Sequence, residues 1–78
     1  MKLKVNKVGA ASHPQEVVVS VETDEGTEFL VVHEASLSGD QIEIGYPIGQ
    51  KASNFLVELP RETMRGSWRV WVSNDVVR

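Results

Sequence analysis

The sequence predicts an all-β fold of about six antiparallel strands, forming a small β-sandwich or a partly open barrel without a substantial helix. Three observations carry this. Apolar and polar residues alternate with the two-residue period of a half-buried strand. Glycine, proline and serine or aspartate turn signals break the alternating runs at short intervals. No segment shows a helix-period apolar stripe of ten or more residues.

The elements follow in chain order. "KLKVNK" sets Leu3 and Val5 on one side and Lys2, Lys4 and Asn6 on the other. "GAASHPQ" interrupts it, because Pro14 has no N–H to give a central ladder. "EVVVSVET" sends Val17, Val19 and Val21 one way and Glu16, Ser20 and Glu22 the other. "DEG" at 24–26 reads as a short hairpin loop in which Gly26 takes a left-handed conformation, and "TEFLVVH" is the returning strand. "HEASLSGD" has room for one helical turn before a Ser-Gly-Asp turn. "QIEIGY" aligns Ile42, Ile44 and Tyr46, with Gly45 marking a bulge or a close backbone approach.

"PIGQKAS" reads as a loop, and "NFLVEL" as a strand with Phe55, Val57 and Leu59 in phase. "PRETMRG" is compatible with a brief helical turn begun by Pro60 and ended by Gly66. "SWRVWVS" is the sixth strand, and "NDVVR" a tail or a short pairing segment. The expected core comprises Leu3, Val5, Val17, Val19, Val21, Phe29, Val31, Ile42, Ile44, Tyr46, Phe55, Val57, Leu59, Trp68, Val70 and Val72.

Seventy-eight residues make one small domain, 1–78, near the lower limit for folding on a single apolar core. Cysteine is absent, so neither a disulfide nor a thiolate metal site braces it. Apolar packing, aided by a second copy of the chain in a possible homodimer, is left to supply stability. "MKLKVNKV" alternates lysines with apolar residues and is not a signal peptide, and nothing approaches the ~18 consecutive apolar residues of a membrane span. No membrane partner is expected, and the cytoplasm is the expected compartment. The net charge of −3 is uneven: residues 1–8 hold three lysines, 9–60 hold nine acids against Lys51, and 61–78 are basic again. Solvated strand faces account for this, and complementary ends and middle would favour self-association.

The two tryptophans of "SWRVWVS" lie three apart, and extended backbone turns residues at that spacing to opposite faces. Trp68 then joins Val70 and Val72 in the core, and Trp71 joins Arg69 and Ser73 outside. By the same phase argument Val18, Leu30, Val32 and Leu56 also point away from the core. Trp71, Arg69, Leu30, Val32, Leu56 and Val18 are therefore the candidate partner-binding residues. A contiguous apolar patch of this kind marks a protein-docking face or a dimer seam, unless a second sheet of a sandwich covers it.

The chemistries weighed against this reading are weaker. The glycines of "GYPIGQKAS" have three residues between them where a phosphate-binding loop needs four, and Gln50 separates the second from Lys51. "ETDEGTE" lacks the alternating ligands and distal glutamate of a calcium loop and reads as a charged hairpin tip. His13 and His33 have no third ligand at metal spacing, so no metal and no cofactor is expected; His33 is read as a rim histidine bonded to backbone. Ser12 and His13 are sequence neighbours that seldom face each other, and no elbow motif surrounds them. With no catalytic constellation the chain is expected not to be an enzyme; a small hydrolase or metal-binding domain is a minor alternative. The main alternative is single-stranded nucleic acid stacked on Trp71 beside Arg69, with Lys2 and Lys4 adding phosphate contacts if the first strand adjoins the sixth. Net acidity counts against a nucleic-acid partner. An arginine shielding an indole is the plain explanation of that pair.

Overall fold

The computed structural model describes residues 1–78 and is all-β, with nine short strands in three small antiparallel sheets, none closed into a barrel. They are β1 (Lys2–Lys4), β2 (Asn6–Ala10), β3 (Glu16–Thr23), β4 (Gly26–His33), β5 (Leu37–Ser38), β6 (Gln41–Glu43), β7 (Gly49–Lys51), β8 (Asn54–Glu58) and β9 (Arg69–Ser73). Single 3-10 turns at Glu34–Ser36 and Asn74–Val76 are the only helical residues. The sheets run β1-β6-β5, β2-β3-β4 and β7-β8-β9.

The expected first strand is two strands. Val5 is the corner between them, 1% exposed, where the chain leaves one sheet for the next. β2 then runs on through Ala10, with a bulge between Lys7 and Gly9 that leaves Val8 out of register. Bulge and lysine together blunt an exposed sheet edge. Two more strands occupy stretches expected to be irregular: β5 pairs with β6, and β7 pairs with β8 inside the "PIGQKAS" segment. The "PRETMRG" segment forms no helix. The tail is a pairing segment, for Val77 bridges Leu3 while Lys2 and Arg78 exchange backbone hydrogen bonds of 2.6 and 2.8 Å.

The β7–β8 hairpin carries a local strain. Its two-residue loop, Ala52-Ser53, holds Ala52 at φ 54°, a left-handed conformation in which the methyl crowds the following carbonyl. Ala52→Gly removes that contact, partly offset by the freer unfolded chain. It should raise stability by about 0.5–1 kcal/mol, read as a higher urea midpoint at unchanged slope.

Inner faces of the three sheets meet in one core of Leu3, Val5, Val17, Val19, Val21, Leu30, Val32, Ile42, Ile44, Val57, Leu59, Val70, Val72 and Val77. Eleven of these match the expected set; Val77 of the tail is an addition, and the other departures cluster in three places. The largest is β4, where the expected faces are reversed. Leu30 and Val32 are buried, Phe29 is 40% exposed and Val31 half-buried. The cause is loop length. A three-residue "DEG" loop would pair odd residues of β3 with odd residues of β4. The observed loop has two residues, Asp24-Glu25, with Thr23 opposite Gly26, so Val17 meets Val32, Val19 meets Leu30 and Val21 meets Glu28. Cross-strand partners share a face, so one residue of loop length turns the whole strand over.

The second departure is Tyr46, 83% exposed rather than core. β6 ends at Glu43, and Tyr46 precedes Pro47, which has no N–H and restricts the residue before it. The third is Trp68. β9 begins only at Arg69, and Trp68 lies at a bend before it, 53% exposed. Phe55 does face inward, opposite Val72, but stays half-buried against the core. No helix is long and apolar enough to cross a membrane.

Candidate protein-docking face

The six residues expected to form an outer patch do not share one surface: Trp71, Arg69 and Leu56 lie together on one sheet, while Leu30, Val32 and Val18 belong to another. Leu30 and Val32 belong to the core, 0% and 2% exposed, and are unavailable to a partner; the two-residue hairpin loop is the reason. Trp71 and Leu56 face each other across β8 and β9 on the outer side of their sheet, both half-buried. Gly49 completes that row, and its missing side chain leaves room for both: a Cβ there would sit 3.3 Å from the Leu56 Cβ and 3.6 Å from the Trp71 ring. Trp71 is therefore packed among its own neighbours. The space beside it is lined mainly by Thr23, Asp24, Glu25, Glu28 and Arg69, a polar setting. Arg69 donates from Nε to Glu58 Oε2 at 3.2 Å, with both side chains exposed.

The elements proposed for nucleic-acid contact lie on different sheets. Lys2 and Lys4 are on β1, which pairs with β6 on one side and meets the tail at Val77 on the other. Trp71 and Arg69 are on β9, beside β8. His33 accepts a hydrogen bond at Nδ1 from the Ala35 amide, 3.1 Å, and caps the first 3-10 turn. His13 is exposed in the loop before β3.

Exposed apolar side chains gather instead on the outer face of the β2-β3-β4 sheet. Val18 lies opposite Val31, and Ser20 opposite Phe29, so Val18, Val31 and Phe29 share that face. The segment between β8 and β9 borders it. Its base is closed by Leu59 N–H donating to the Trp68 carbonyl at 2.8 Å, which makes 60–67 a compact loop with adjacent ends. The loop lies along the outer edge of β4, where Met64 N–H donates to the Phe29 carbonyl at 2.7 Å. Met64 is 66% exposed, and two shallow grooves flank it, sharing Val31, Arg61 and Met64. Val18 lines one groove and Trp68 the other. The Trp68 indole N–H is satisfied by Glu62 Oε1 at 2.8 Å, so the ring presents apolar surface without an orphan donor. Arg61 bridges to Glu16 at 2.9 Å on the rim.

Sequence reasoning missed this assembly because it depends on where the 60–67 loop lies. The one available signal was Gly26 after the Asp-Glu pair, which is as compatible with a two-residue loop as with a three-residue one. Two further apolar residues, Tyr46 and Ile48, are exposed elsewhere, flanking Pro47. No protein-family model, curated protein or solved structure matches this chain.

Proposed function

We propose that the chain is a non-enzymatic interaction module that docks a protein surface on the outer face of the β2-β3-β4 sheet, with a second copy of the chain as the first partner to test. The carrying observation is the exposure of Met64 and Trp68 around grooves shared with Val18 and Val31, and of Phe29 on the same sheet face, with polar residues on the rim. Apolar residues at the centre and charges at the edge are the usual anatomy of a protein interface. Trp68 is the natural anchor, since a large aromatic with its polar group already satisfied gains most from losing water. A core of 14 buried residues is small, and covering this face would add to it.

Light scattering after size exclusion tests the reading on three proteins. Wild type should elute as a dimer, and Trp68→Glu as a folded monomer, with at least a tenfold weaker association on the order of hot-spot losses. Trp71→Glu serves as the comparison for the other face. A wild type that is monomeric at high micromolar concentration would remove self-association. A dimer broken by Trp71→Glu and indifferent to Trp68→Glu would move the seam to the β7-β8-β9 sheet.

A further inference from the structure

Glu28 is the least comfortable side chain in the molecule. The two-residue hairpin loop turns it to the core side of β4, opposite the fully buried Val21, and leaves it 6% exposed. Its Oε2 is 3.4 Å from Arg65 Nη1, and Oε1 receives no hydrogen bond from the protein. Arg65 itself is largely in solvent, its side chain 72% exposed. A carboxylate taken out of water and answered by one solvated guanidinium recovers only part of its lost hydration.

Arg65 belongs to the 60–67 loop, so the loop's attachment and this buried charge are coupled. The loop is held internally by its own bonds: Thr63 N–H to the Ser67 carbonyl, Gly66 N–H to the Thr63 carbonyl, and Ser67 N–H to Thr63 Oγ1. Gly66, at φ 85°, permits this tight turn. Towards the sheet there are three polar ties, only one of them a backbone hydrogen bond. They are the Met64–Phe29 backbone bond and the ion pairs Arg61–Glu16 and Arg65–Glu28. A solvent-open hollow of about 70 Å³, bordered by Ser67, Glu28 and Asp24, lies between the loop's end and the hairpin.

From this we infer that the 60–67 loop is a latch: it detaches from the β4 edge as one unit while the three sheets stay folded, because its internal bonds survive release and Glu28 regains water. Two of its three ties are ionic, so salt favours the detached state. Release carries Met64 away from Val31 and uncovers the β4 edge, at which the backbone groups of Thr27, Phe29 and Val31 point outward. The latch does not depend on the docking role. If that role holds, a partner seated on the closed face would keep the loop attached.

Native-state hydrogen exchange on the full chain, read at the Met64 amide and at amides in the middle of β3, tests it. In wild type, Met64 should exchange faster than β3, and raising NaCl from 20 to 500 mM should speed Met64 alone. Arg65→Ala should speed Met64 by about tenfold with β3 unchanged, because it leaves Glu28 buried without its charge partner. Adding Glu28→Leu to that variant should restore protection. Equal exchange at Met64 and β3 in wild type would overturn the latch. So would an Arg65→Ala variant that leaves Met64 unmoved, slows neither site after Glu28→Leu, or loosens both together.

Discussion

Replacing Leu30 with alanine should cost about 2–5 kcal/mol, while Phe29→Ala, one residue away, should cost about 1 kcal/mol or less. Leu30 is 0% exposed and faces Val19, itself 0% exposed, in the middle of the longest hairpin. Alanine there removes most of a buried side chain and leaves a hole that β-strand neighbours cannot close. Phe29 looks outward, 40% exposed, and its loss mainly trims the surface. Urea unfolding followed by tryptophan emission measures both, with Trp71, half-buried on β9, as the reporter of the packed state. The reverse ranking would mean that β4 is turned over and the hairpin loop has three residues. An unchanged slope for both variants would confirm that only native stability moved.

The second large effect lies at the other end of the chain. Val77→Asp should destabilise by at least about 3 kcal/mol, since it puts an unpaired carboxylate where the core holds a valine. Val77 is 8% exposed and bridges Leu3, the first fully buried residue of the chain. The two Lys2–Arg78 backbone bonds hold the tail along the outer edge of β1, so that β1 lies between β6 and the tail. Val76→Asp, at a half-buried neighbouring position, is the control and should cost markedly less. Equal costs at 76 and 77 would mean that the tail is not registered on β1.

Glu28 shows how the β4 register is decided. One parity of the strand turns Phe29, Val31 and His33 inward, and the other turns Glu28, Leu30 and Val32 inward. Counted by apolar residues the two are evenly matched, and the first avoids a buried charge. The second prevails with Leu30 and Val32 under the opposing valines and with Arg65 arriving from the β8–β9 loop to meet Glu28. That partner is distant in sequence, and no local pattern around residues 24–33 announces it.

Residue order alone carries the all-β class, the strands around Val17–Val21, Phe55–Leu59 and Val70–Val72, and the inward side of each, because a two-residue period against polar neighbours has one reading when it is unambiguous. It also determined that His33 would serve the backbone at the end of its strand. Tertiary structure alone decided the facing of β4, the division of the first strand at Val5, the docking of the tail at Val77 and the course of the 60–67 loop that brings Met64 and Trp68 beside Val31. In these places both faces of a strand carry apolar residues, or the chain has no period at all. The choice then falls to loop length and to partners far along the chain, whose contributions are not written locally.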